Sequence, residues 1–222
     1  MISSLLKMDF ITVAAYVLAV VLSMSVHEMA HALVSMMFGD PTARLKGRLS
    51  LNPFAHVDWT GLMCLLLFGF GWAKPVPIDS RYYTDEKTGI IWTSFAGPIA
   101  NFLLAFVCLL IYYGLLLLAG RSFGGSAVGS FILNVLYITA IMSVGFGIFN
   151  LIPVPPLDGS KVFWSFLPDD VYYKFIQGAP WMYMLFIVLM VSGVISGPLS
   201  IMRGTMLDWL SNGAIWFWGL FF

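Results

Sequence analysis

The chain has 222 residues, 60% hydrophobic and 10% charged, with 11 basic and 11 acidic side chains and a net charge of zero. Soluble domains carry about 25% charged residues, so this composition, with a mean hydropathy of +0.91, marks an integral membrane protein. No basic block is dense enough to hold nucleic acid, and Cys64 and Cys108 both sit in apolar runs where they read as small core residues.

The first span covers residues 10–38. Lys7 before an apolar run resembles a signal peptide, but the run continues to Phe38 without a small-residue cleavage site, so a retained helix is expected. Residues 59–72 are apolar but shorter than the roughly 20 residues a crossing needs, which points to a re-entrant or interfacial element. Further spans are read at 90–119, 128–149 and 181–201. The stretch 206–222, with Trp209, Trp216 and Trp218, is either a fifth span or an interfacial helix. Gly145, Gly147, Gly193 and Gly197-Pro198 are points of bending or of close packing, packing being the commoner meaning. No repeat, low-complexity tract or soluble module is visible, so residues 1–222 are read as one membrane domain.

Six of the 11 basic residues, Arg44, Lys46, Arg48, Lys74, Arg81 and Lys87, lie between 39 and 89. Lys7, Arg121 and Arg203 fall to the other side. Positive charge stays inside, which puts the 39–89 connection in the cytoplasm and the N-terminus outside.

Within the first span stands His27-Glu28-Met29-Ala30-His31. Between Phe10 and Val26 only Thr12, Ser23 and Ser25 interrupt the apolar character, and nothing is charged. Ionisable groups at such a depth are costly and mark a functional site; the competing reading is a polar patch satisfied by neighbouring helices. Two His four apart share one helix face and can hold one zinc ion, and the adjacent Glu28 can take a proton from water on that ion. His31 lies seven residues from the inner end of its helix, about 10 Å below the surface at 1.5 Å per residue.

A third ligand must come from elsewhere. Position 37 is Met and Glu86 lies in a charged polar loop, so the aspartates remain. Most fall in loops or at segment ends. Asp158 ends the stretch from Asn150 to Gly159, in which Pro153, Pro155 and Pro156 break the helix and free backbone groups. Membranes tolerate that only inside protein or beside a water-filled cavity. Spacing alone leaves Asp158 equally a turn residue before Gly159. Its segment reaches the cytoplasmic half, as does the His pair, and that favours the ligand reading.

These motifs resemble the site-2 protease family of intramembrane zinc metalloproteases. The resemblance is carried by His27-Glu28-Met29-Ala30-His31, by Asn150 with Leu157-Asp158-Gly159, by Gly97-Pro98-Ile99-Ala100-Asn101, by Asn52-Pro53 with His56-Val57-Asp58, and by Gly71-Trp72-Ala73-Lys74-Pro75-Val76-Pro77. It extends over residues 23–160. It implies that His27, His31 and Asp158 bind one zinc, that Glu28 is the general base, and that the first, second and third full spans form a three-helix catalytic core. No PDZ insertion or CBS pair is seen, so the chain looks like a minimal, prokaryotic plasma-membrane form. The implied substrates are transmembrane proteins or peptides: anti-sigma factors, transcription-factor precursors or signal-peptide remnants.

Hydrolysis also needs a donor to the developing oxyanion. Asn101 and Asn150 are the candidates, each with a simple interhelical bond as its alternative. His56 reads as a loop residue or a further polar contact. Arg44 to Leu51 alternates charged and apolar residues, and Lys74-Pro75-Val76-Pro77-Ile78 cannot be helical. Both are expected as short β-hairpins, either pairing with substrate or capping the core. The expected fold is therefore an all-α polytopic membrane protein with a three-helix core, additional membrane helices and short membrane-associated β-hairpins. A metal transporter is disfavoured because the ligands make one site and no ladder across the bilayer. A silent membrane-segment binder is disfavoured because Glu28 is present.

Overall fold

Three apolar runs begin at a side chain that caps them. Asp9 accepts the Thr12 N–H at the start of α1 (Phe10–Met37), Asp85 the Thr88 N–H at the start of α2 (Glu86–Leu118), and Ser126 the Gly129 N–H at the start of α3 (Ala127–Asn150). Such caps satisfy donors that a helix start leaves open. The computed structural model describes residues 9–68, 71–168, 171–172 and 180–222; Lys7, named above, lies outside them. Each of the three helices is long and apolar enough to cross a membrane.

The three helices pack on one another through residues four apart. α1 buries Ala15, Ala19, Ser23, His27, His31 and Ser35. α2 buries Gly89, Thr93, Gly97, Asn101, Ala105 and Leu109, and α3 contributes Thr139, Ser143 and Gly147. In lipid no hydrophobic force drives helices together, so small residues that let backbones approach, and polar groups that bond across, do the work. Ser23 and Ser143 share a hydrogen bond of 2.8 Å between α1 and α3. Large apolar side chains face outward, among them Leu103, Ile111, Leu117 and Val128, as a lipid solvent allows.

After α3 the chain runs irregularly to α4 (Asp158–Trp164). It resumes in α5 (Pro180–Ser192) and α6 (Ser196–Trp218). α6 lies against α2 and α3: Ala214 joins the core of Leu109 and Val144, and the Trp218 indole N–H donates to the Leu110 carbonyl at 2.9 Å. Gly114 makes room for that indole, since a Cβ there would stand 2.5 Å from Trp218 Cζ2.

The structure corrects two expectations about segments. No strand exists among the described residues, so the β-hairpins are absent. Thr42–Leu45 is a single helical turn, with Leu45 exposed and Arg48 buried, the reverse of the alternation. Lys74–Ile78 is without a ladder partner: Pro75 and Pro77 lack N–H groups, the Lys74 N–H goes to the His56 carbonyl and the Val76 N–H to Glu28. The second concerns the C-terminal third. Residues 181–201 are not one helix; the chain breaks at 193–195, with Gly193 at φ +69°, and the two arms bend by 78°. Helix α6 then runs unbroken through 202–206.

Helix Trp59–Phe68 places Leu62 and Leu65 on Val20 of α1. Gly61 and Gly71 face each other too closely for any side chain. Gly147 serves packing: a Cβ there would lie 2.7 Å from the Phe102 ring. Gly147→Ala is therefore expected to cost about 1–3 kcal/mol by overpacking, read as a lower unfolding midpoint in detergent. An unchanged midpoint would contradict the tight α2–α3 contact.

Candidate metal centre

His27 and His31 stand one turn apart on the buried face of α1, their rings T-shaped with centroids 4.6 Å apart. Both turn Nε2 toward Asp158 at the start of α4. The three edges of the cluster are 3.0 Å from His27 Nε2 to His31 Nε2, 3.2 Å from His27 Nε2 to Asp158 Oδ2, and 3.1 Å from His31 Nε2 to that same oxygen. Among the described residues it is the one cluster of three His, Cys, Asp or Glu ligands that converge closely enough for a metal ion.

Asp158 reaches this point because the chain after α3 doubles back. Val154 N–H bonds to the Ile152 carbonyl and Leu157 N–H to that of Val154, while Leu157 is buried. At Gly159 the backbone passes so close to the Leu151 carbonyl that only glycine fits. Asp158 therefore heads a helical turn rather than forming an Asp-Gly turn pair. Lys161, one turn on, stands 3.7 Å from its other oxygen.

The wall behind the rings is α2. Gly97 lies against both of them, and a Cβ there would come within 2.6 Å of His27 Nε2 and of His31 Nε2. One turn before it, the Thr93 carbonyl accepts the His31 Nδ1–H at 2.6 Å. One turn after it, Asn101 is fully buried with its amide nitrogen 3.1 Å from His27 Nδ1. Thr93 is itself tied down: Tyr83 bonds to its hydroxyl at 3.1 Å and to Ser35 at 2.8 Å, and Ser35 donates to Asp40. Burial works against the Asp40 carboxylate, but the Asp79 N–H, Thr42 and Ser35 bonded to it hold its pKa below the usual range.

Zinc fits these residues. Two imidazole nitrogens and a carboxylate oxygen are the donors, and the ligand count, of an open zinc site. Tetrahedral ligands about 2.0–2.2 Å from zinc stand about 3.4 Å apart, within a few tenths of an ångström of the edges observed. Three electron-rich atoms packed this tightly in a low-dielectric interior call for a cation among them.

Glu28, next to His27, accepts the Val76 N–H at 2.8 Å through one carboxylate oxygen, so the Lys74–Ile78 segment lies over this helix face. The side chain of Val76 is buried against Ala32 and Ala43. Asn150 donates to the Phe146 carbonyl of its own helix at 3.0 Å. His56 is outside the cluster, fully buried, and donates from Nε2 to the Ser50 carbonyl at 2.7 Å. The Val76 N–H and the Thr93 carbonyl are backbone groups that residue identity does not announce. Gly97 was visible within a motif, and its four-residue spacing from Thr93 and Asn101 is the signal that would have assigned it to the rings.

The profile of Peptidase family M50 matches residues 15–192. The chain is 35% identical over 181 residues to the "Putative zinc metalloprotease YwhC" of Bacillus subtilis, an overlap of 79% of this chain and 80% of that protein. It is 28% identical over 182 residues to the "Putative zinc metalloprotease Rip2" of Mycolicibacterium smegmatis, covering 77% of this chain and 64% of that protein. No solved structure matches at a significant level. A profile spanning most of the sequence, together with apolar spanning helices around a His-His-Asp cluster, establishes that the chain belongs to peptidase family M50, the site-2 proteases, and is a zinc metalloprotease of the membrane.

Proposed function

We propose that His27, His31 and Asp158 hold one zinc ion, that Glu28 is the general base, and that the chain cuts peptide bonds within or near the transmembrane segments of membrane proteins. The observation that carries this is the convergence of three ligand atoms within 3.2 Å of one another, on helices long and apolar enough to cross a bilayer. Bound zinc supplies Lewis acidity, which makes water a nucleophile near neutral pH and polarises a carbonyl.

The chain's own residues divide the remaining work. One Glu28 oxygen is held by the Val76 N–H, which fixes the carboxylate and leaves the other oxygen to accept a proton from water and pass it to the leaving amine. Asn150 spends one amide N–H on Phe146, and its second N–H is the proposed donor to the oxyanion. A helical substrate hides its carbonyls in its own hydrogen bonds, so the substrate must unwind before cleavage. Single-span regulators and signal-peptide remnants are the proposed substrate class.

The whole chain acts as a single membrane domain in this reading. We further propose that the site lies toward the cytoplasm, with the N-terminus outside, in a prokaryotic plasma membrane; the positive charge of 39–89 supports the orientation, and the compact form supports the host.

The direct test is cleavage of single-span model proteins by the purified chain in liposomes, with bound zinc counted. Glu28→Gln keeps an oxygen for the Val76 N–H but removes the base. It is expected to retain zinc near one per chain and to lose about 10²–10⁴ in rate. Equal cutting by both proteins would remove Glu28 from the chemistry, and no zinc in either would sink the ligand assignment. A second outcome concerns the wall: Gly97→Ala drives a methyl into both imidazoles and is expected to lower zinc occupancy sharply at limiting metal. Full occupancy would show that the rings can retreat.

A further inference from the structure

The two histidines are held from behind in different ways. His31 Nδ1 faces the Thr93 carbonyl, an atom that can only accept, so Nδ1 carries the hydrogen and Nε2 presents its lone pair to Asp158 and His27. The Nε2 atom of His27 belongs to the same triangle, 3.0 Å from His31 Nε2 and 3.2 Å from Asp158 Oδ2. To offer a lone pair there, neutral His27 must carry its hydrogen on Nδ1.

The group beside that nitrogen is the side-chain amide of Asn101, completely buried, with its nitrogen 3.1 Å away. Its carbonyl oxygen is buried and has no hydrogen-bond partner in that orientation. The two ends of an amide are nearly equal in shape, and which end faces a neighbour is decided by hydrogen bonding. Turned over, the amide sets Oδ1 against the Nδ1–H and gives the unpartnered oxygen its donor. An N–H facing Nδ1 would instead hold His27 in the tautomer that points a hydrogen into the cluster.

We propose that Asn101 is a positioning residue for His27, whose side-chain carbonyl accepts the Nδ1–H and fixes the ring with its Nε2 lone pair directed at the metal position. This rests on the zinc reading above and assigns the α2 amide a task other than the oxyanion. Asn101 acts on the far corner of the imidazole, on the same α2 stripe as Thr93 and Gly97. Metal-ligating histidines are commonly oriented by such an acceptor, and losing it weakens metal binding by about 10–100-fold.

The experiment measures zinc dissociation constants of the full chain in detergent, by competition with a chromophoric chelator, together with the unfolding midpoint of the metal-free protein. Asn101→Leu and Asn101→Ser both withdraw the acceptor, one by an apolar side chain of similar size and one by shortening. Both are expected to bind zinc about 10–100-fold more weakly. Asn101→Asp keeps an oxygen opposite Nδ1 and is expected to stay within a few-fold of the unaltered chain. A structural role alone would lower the metal-free midpoint and spare the affinity.

Zinc bound as tightly by Asn101→Leu or Asn101→Ser as by the unaltered chain overturns the proposal. So does an Asn101→Asp protein as weak as the other two. An unaltered chain that binds no zinc would instead overturn the metal reading on which the proposal stands.

Discussion

Three electron-rich atoms brought within 3.2 Å of one another inside an apolar bundle are the constraint to which the rest of this protein answers. In hydrocarbon each such group loses several kcal/mol of hydration unless it finds a partner, and together they repel unless a cation lies among them. The surroundings hold that arrangement from every side. α1 sets the two rings a turn apart, the irregular chain after α3 returns Asp158 to them, and α2 closes the back with a glycine flanked by two hydrogen-bonding residues. The Tyr83–Ser35–Asp40 chain extends this support to the connection at 79–83.

The bundle is amphipathic in the sense opposite to a soluble protein. Its interior carries Ser23, Ser35, Thr93, Asn101, Thr139 and Ser143, all buried, while large apolar side chains face outward. The four-residue recurrence of small and polar residues on all three helices is one physical solution used three times. It brings backbones close, supplies cross-helix bonds such as Ser23–Ser143, and at Gly97 leaves just enough room for two imidazoles.

Much of this could be read from the sequence because lipid leaves few options. The three full helices followed from apolar length, and the His pair stood out because ionisable residues are rare at that depth. The proline-rich break before Asp158 marked the place where irregular backbone had to be protected by protein. The alternation from Arg44 to Leu51 misled because charge alternation distinguishes two faces only where a sheet exists to separate them. Here a glycine turn at Gly47, with φ +65°, leaves Leu45 outside and draws Arg48 in. Gly193 was named as a point of bending or packing, but hydropathy could not choose between the two, since an apolar average cannot register one left-handed residue. The Thr93 carbonyl and Val76 N–H carry no residue signature at all.

The hydrogen bond between Val76 and Glu28 has a consequence for how the chain tolerates change in length. Pro75 and Pro77 flank Val76, so across residues 75–77 there is one main-chain donor and no substitute on either side. Most loops absorb a slip of one residue by passing a bond to the next amide. This segment has little such freedom: an insertion between the Lys74 anchor on His56 and Pro75, or the deletion of Pro75, would set a proline ring opposite the carboxylate. The segment is thus keyed to α1 in one register, and its length is as much a part of the site as the identity of Glu28.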